Sequence, residues 1–234
     1  MNIIFTRPLI DSEDLMMSFL NSGHKVIHVP TLKITSANMQ PINIKDYDGL
    51  IFTSANAVRF LKIKNDDKNI KCFCVGSLTE RSLRLKGFNN TIAATGTVNA
   101  LKNIIINSDK NIKNLLYLCG DVISYELDME LIKEGFKIKK IINYSSTKIS
   151  DLNDETMKLI KTYPANISLI YSQRSAESFN EIVSKYSFSE LMTHCTVMCI
   201  SKKIKEFLKS KGWNKIELFN PGEELIKIDQ IKNG

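Results

Sequence analysis

Asp48 to Leu61 reads D-G-L-I-F-T-S-A-N-A-V-R-F-L. Its apolar run, Leu50-Ile51-Phe52, stops at a cluster of small hydroxyl and amide groups, Thr53-Ser54-Ala55-Asn56. Apolar residues then return at helical spacing as Ala57, Phe60 and Leu61. The pattern is that of a buried parallel strand delivering a polar turn to a helix start. In open α/β sheets ligands bind beyond the carboxyl ends of the strands, where free N–H groups of the next helix meet anions. The turn is therefore a candidate wall of a binding site.

The same pattern recurs at Ile167 to Ile182, with a strand, a polar turn (Ser172-Gln173-Arg174-Ser175) and then Ala176, Phe179 and Ile182. A second pair follows the first. Cys74-Val75-Gly76-Ser77 and Cys199-Ile200-Ser201-Lys202 each open a helical stretch, and they align without a gap. Cys74 then falls on Cys199, Gly76 on Ser201, Leu83 on Leu208, Gly87 on Gly212 and Phe88 on Trp213. Two matched pairs in one order predict two copies of an α/β unit, with a site between them.

Bulk properties narrow the function classes. At 234 residues, 43% hydrophobic and 24% charged, the chain has the composition of a soluble globular protein with room for two domains. Arg7 and Asp11 come too early for a signal peptide, and no apolar run approaches the roughly 20 residues of a membrane span, so a cytoplasmic protein without a membrane partner is expected. Five cysteines, an odd count, predict reduced thiols. Cys72 and Cys74 face the same way on a strand, but without a second such pair they read as core residues. His24, His28 and His194 show no ligand spacing, so no metal is expected. The net charge of +7 comes from lysines spread over the helices, as in Lys202 to Lys211, and a solvated face accounts for them. No helix-turn-helix, zinc finger, RNP aromatic pattern or arginine-rich arm points to nucleic acid. G-x-G-x-x-G, Walker and G-x-S-x-G signatures are all missing.

Taken in order, strands are predicted at Ile3 to Phe5, Lys25 to Val29, Leu50 to Phe52, Cys72 to Val75, Thr91 to Ala94, Leu115 to Leu118, Lys137 to Tyr144 and Ile167 to Tyr171, with helices between them. Thr31 to Tyr47 and Ser145 to about Asp154 read as polar crossings. The fold class is α/β, as two similar open parallel five-stranded sheets flanked by helices and joined by a two-stranded linker.

The groups that converge on the strand ends are Arg7, Thr53, Ser54, Asn56, Ser77, Thr79, Gly120, Tyr144, Ser172, Arg174, Ser175 and Ser201. Hydroxyls, backbone N–H groups and arginine recognise carboxylates, but they supply no strong base at neutral pH. A reaction served by them has a substrate that is already reactive, which the protein needs only to position.

Six motifs occur in one order along nearly the whole chain: T-R-P from Thr6, F-T-S-x-x-A-V from Phe52, V-G-x-x-T from Val75, C-G at Cys119, Y-S-x-x-S-A from Tyr171 and C-I-S from Cys199. With N-Y-S-S-T from Asn143, in place of the usual Tyr-x-Thr, this set resembles uroporphyrinogen-III synthase. The resemblance implies cyclisation of hydroxymethylbilane with loss of water and inversion of the last ring, in a monomer that uses no cofactor and no metal. It implies residues 1–35 and 150–234 as one discontinuous domain and 36–149 as the other, and two thin linkers between such domains predict opening and closing around a large flexible substrate. It also implies Tyr144 as the group that assists the departing hydroxyl, with Thr79, Ser54, Ser172 and Ser175 on the carboxylate arms. Ile204 stands where some members carry threonine, so backbone donors near Ser201 and Lys202 are expected to serve that side. The competing reading is a non-catalytic bilobed module that binds a small polycarboxylate. The two readings part at the Tyr144 hydroxyl.

Overall fold

The computed structural model describes residues 1–64 and 68–233. The chain divides into two compact units, Met1–Lys33 with Thr147–Gly234 (unit one) and Ile34–Ser146 (unit two).

In unit two the strands are β4 (Gly49–Phe52), β5 (Lys71–Val75), β6 (Thr91–Ala94), β7 (Asn114–Gly120) and β8 (Lys137–Lys148), with β3 (Leu32–Ser36) at the edge. The sheet order is β3-β8-β7-β4-β5-β6, and the pairs from β8 to β6 are parallel. Parallel strands need crossovers, and α2 (Ala55–Arg59), α3 (Ser77–Leu85), α4 (Val98–Ile106) and α5 (Leu127–Lys133) supply them. Strand residues alternate between the two faces. Leu50, Phe52, Cys72, Cys74, Leu116 and Leu118 pack on one side with Ala57, Val58 and Leu83. Ile51, Phe73, Leu115, Tyr117 and Cys119 pack on the other with Leu101, Ile105, Leu127 and Leu131. Cover on both faces is why these strands read as continuous apolar runs.

Unit one holds β1 (Asn2–Phe5), β2 (Lys25–His28), β9 (Ile167–Ile170), β10 (Thr196–Cys199) and β11 (Ile216–Leu218) in the order β11-β10-β9-β1-β2, all parallel. Its helices are α1 (Glu13–Asn21), α6 (Asp154–Thr162), α7 (Gln173–Lys185), α8 (Lys202–Ser210) and α9 (Glu224–Asn233). Ile4 joins Ile170, Val197 and Phe179 on one face, and Ile3 and Phe5 join Leu169, Phe19 and Ile228 on the other.

The two orders are one order. Matching β9, β10, β11, β1 and β2 to β4, β5, β6, β7 and β8 superposes the topologies, so unit one is a circular permutation of unit two. The repeat read from sequence falls on this match, with Ser54 and Ser172 each capping the helix after the first strand of its set. Gly87 and Gly212, at φ 89° and 88°, end α3 and α8 in the left-handed conformation that glycine adopts without steric cost. The following Phe88 and Trp213 then donate their N–H groups to Leu83 and Leu208 at 3.1 Å in both copies.

Two expected crossings are partly strand. Thr31 to Tyr47 contains β3, and the segment after Tyr144 continues β8 to Lys148, so among the described residues the second sheet has six strands where five were expected. Local polarity hid both, because their partners are each other. Thr35 Oγ1 and Ser145 Oγ lie 2.8 Å apart, and the Ala37 N–H donates to the Asn143 carbonyl at 3.0 Å.

Candidate active site

In each sheet the chain order reverses at one place, between β4 and β7 in unit two and between β9 and β1 in unit one. Crevices beyond such switch points are where open α/β sheets take their ligands.

At the β4/β7 crevice a cavity of about 170 Å³ is lined by Thr53, Ser54, Val98, Tyr117, Val122, Ile123, Ser124, Tyr125 and Tyr144. None of these side chains is charged. Thr53 Oγ1 and Tyr117 Oη are 3.1 Å apart, and Tyr117 is 1% exposed. Burial pushes the Tyr117 phenol well above its ordinary range and keeps it protonated. Ser54 accepts the Asn56 N–H at 3.2 Å as the cap of α2.

Tyr144 reaches this cavity because Gly120 makes room for it. A Cβ on Gly120 would stand 2.7 Å from Tyr144 Cζ and 3.0 Å from its Oη, so the phenol lies directly on the backbone. The β7–β8 register slips between Cys119 and Gly120, which pairs Gly120 with Tyr144. The Asp121 N–H then donates to the Tyr144 carbonyl at 3.1 Å, and Phe60 packs its ring 6.4 Å from the other ring. Asn143, next to Tyr144, donates from Nδ2 to the Ala57 carbonyl at 2.7 Å, tying β8 to α2.

The other predicted residues of unit two lie outside this lining. Asn56 Oδ1 accepts from the Arg59 guanidinium. Ser77 is exposed at the start of α3, behind Gly76 at φ 79°, and Thr79 is buried in its first turn.

In unit one, Arg7 and Tyr171 follow the adjacent strands β1 and β9, and the Arg7 guanidinium carbon stands 4.9 Å from the Tyr171 ring centroid. Ser172 caps α7 by accepting the Ser175 N–H at 3.0 Å, and its hydroxyl donates to the buried Ser175 Oγ at 3.0 Å. Arg174 sits half-buried in the same first turn. Ser201 caps α8, accepting the Ile204 N–H at 3.4 Å. With the exposed Lys202 it borders a cavity of about 430 Å³ that also meets Asn220, Lys227 and Gln230.

The five cysteines are buried and free. Burial pushes the Cys72 thiol up to about 12 and those of Cys74, Cys119 and Cys195 to about 11, so none is a thiolate nucleophile at neutral pH. Among the described residues no three His, Cys, Asp or Glu side chains converge as a metal set, and no helix is long and apolar enough to cross a membrane.

Sequence reading missed Tyr117, whose ring sits in an apolar strand run that signals only core, and Glu224, which accepts from Tyr171 Oη at 3.0 Å. No local pattern marks either one.

The fold and these strand-end sets define a two-unit α/β protein with polar turns at the carboxyl ends of its parallel strands. Residues 14–218 match the family described as uroporphyrinogen-III synthase HemD, and the chain belongs to that family of cyclising lyases in tetrapyrrole biosynthesis. Among solved structures it is similar to uroporphyrinogen-III synthetase from Helicobacter pylori 26695, at 18% identity and TM-score 0.62 over 93% of this chain and 91% of that one. It is also similar to a mutant uroporphyrinogen III synthase from the extremely thermophilic bacterium Thermus thermophilus, at 12% identity and TM-score 0.56 over 100% and 99%. At these identities the two structures support the fold. No curated protein gives a significant sequence match.

Proposed function

We propose that the chain closes hydroxymethylbilane, an octacarboxylate linear tetrapyrrole, into uroporphyrinogen III, with Tyr144 as the acid at the leaving group. The observation that carries this reading is the Tyr144 phenol laid over Gly120 at a crevice walled by neutral hydroxyls. A cavity of about 170 Å³ suits one ring or side arm, well below the roughly 300–1,000 Å³ of sites that enclose a whole drug-sized ligand.

The phenol O–H gives its proton to the terminal hydroxyl, and the C–O bond breaks with release of water. The pyrrole nitrogen pushes its electron pair toward the vacated carbon, giving an azafulvenium cation. The substituted carbon of the last ring attacks it to form a spiro intermediate. The original bond from the spiro carbon to its bridging carbon then breaks, leaving a second azafulvenium, and the unsubstituted α-carbon across the ring nitrogen attacks that bridging carbon, which inverts the ring. The proton this α-carbon loses balances the one Tyr144 gave. Without the protein the bilane closes on its unsubstituted end, so the contribution asked of the chain is mainly geometric.

Arg7, Arg174 and Lys202 supply cations, and Thr53, Ser54, Asn56, Ser77, Thr79, Ser172, Ser175 and Ser201 supply hydroxyl, amide or adjacent N–H donors, to the carboxylate arms. The strand-end position of these groups supports the assignment. We place the reaction in a monomer in the cytoplasm, where five buried thiols stay reduced. Incubation with freshly made hydroxymethylbilane, oxidation and separation of isomers is expected to show type III porphyrin. Type I alone, at the rate of the protein-free control, would overturn the proposal.

A further inference from the structure

Phe5 pairs with Leu169 across β1 and β9, so the residues two further on, Arg7 and Tyr171, leave the sheet side by side. Both are held from behind. The His28 imidazole donates from Nε2 to the Arg7 carbonyl at 2.8 Å, and Thr31 donates its N–H to the Thr6 carbonyl at 3.0 Å. Thr6 in turn donates its hydroxyl to the Leu169 carbonyl at 2.6 Å, locking one strand end to the other. The Tyr171 ring is wedged between Phe5, at 5.8 Å, and Phe219, at 5.3 Å and 89°. Its hydroxyl donates to Glu224 Oε1 at 3.0 Å, and Glu224, 3% exposed, also accepts the Gly222 N–H at 2.8 Å.

The order of these groups matters more than their number. An arginine touching Glu224 directly would be a neutralised ion pair with its N–H donors spent. Here the phenol stands between them. The carboxylate polarises the ring by hydrogen bonding, the ring face attracts the guanidinium, and among the described residues no carboxylate occupies the guanidinium N–H groups. The cation is thus fixed in place while its donor fork stays open to a ligand.

We infer that Tyr171 and Glu224 are positioning residues for Arg7, and that Arg7, so held, reads one carboxylate arm of the substrate at the β9/β1 crevice. The inference rests on the proposed substrate. Its role lies in binding, so it acts on KM and leaves the bond-breaking step alone.

The test is a double-mutant cycle on the full chain. Tyr171→Leu is expected to raise KM for hydroxymethylbilane about 10-fold with kcat held within about twofold, in line with a cation–π contact and its lost orientation. Tyr171→Phe, which keeps the ring, is expected to raise it only about threefold. In an Arg7→Ala background Tyr171→Leu should add less than about twofold, because the group it positions is gone. Equal effects in both backgrounds, or an unchanged KM in Tyr171→Leu, would overturn the inference. Fluorescence titration with uroporphyrin, an octacarboxylate, runs the same cycle without turnover. Coupling there in a protein that makes no type III isomer sinks the proposed reaction but leaves the positioning pair standing. Normal turnover with an additive cycle sinks the pair alone. Thermal melting of each variant separates a folding loss from either result.

Discussion

The crevice of unit two and the crevice of unit one stand at equivalent points of one topology, yet they are furnished differently. At β4/β7 the lining is neutral: Thr53 and Tyr117 share a hydrogen bond, and Tyr144 rests on Gly120. At β9/β1 the position matching Thr53 is Tyr171, and it carries Arg7 on one side and Glu224 on the other. The capping serines, Ser54 and Ser172, are the same in both. The comparison teaches that a duplicated scaffold keeps what builds the helix start, while the residue one step before the cap is free to diverge in function. A proposed acid stands in the neutral crevice and a proposed carboxylate reader in the charged one.

The sharpest way to break this division is Tyr144→Phe, which should lower kcat about 10- to 100-fold with little change in KM, measured as type III product over time. A rise in KM with kcat unchanged would instead make Tyr144 a binding group and erase the contrast. Gly120→Ala comes next. Its Cβ would displace the Tyr144 ring, with an expected fall in kcat of about 10-fold from misplacing the acid and about 1–3 kcal/mol of stability from overpacking. Denaturant melts and turnover on the same preparation check both. Thr53→Val strips the buried Tyr117 hydroxyl of its partner and should cost about 1–3 kcal/mol, with turnover reduced only about threefold. The smallest effects sharpen what is shared. Ser54→Ala and Ser172→Ala should each lose about 1 kcal/mol in melting experiments, since each serine accepts one N–H from the first turn of its helix. A large inequality between them would show that one cap is used for something else.

Much of this plan is legible in the sequence because its signals are local. A strand, a hydroxyl cap and an apolar helical stripe lie within about fifteen residues, and the Asp48 to Leu61 stretch contains all three. Strand β3 and the last third of β8 were not legible, since Leu32 to Ser36 and Ser145 to Lys148 carry mixed polar residues whose claim to be strands is each other. The pairs that furnish the crevices are equally non-local. Thr53 finds Tyr117 64 positions away, and Tyr171 finds Glu224 53 positions away. Tyr117 looked like core because it is core, except for its oxygen.

The permuted order of unit one has a consequence for the chain as it leaves the ribosome. Strand β1 lies between β2 and β9, so one of its flanks has no neighbour until about residue 170 has been synthesised. Unit two, by contrast, has all its strands once Lys148 is out. The later-born half of the sequence therefore finishes the earlier-born strand, and the middle of the message is expected to reach its native form first, as domains generally fold as units during synthesis. Until then Ile3, Ile4 and Phe5 lack the cover that Ile167, Leu169 and Ile170 give them in the finished sheet.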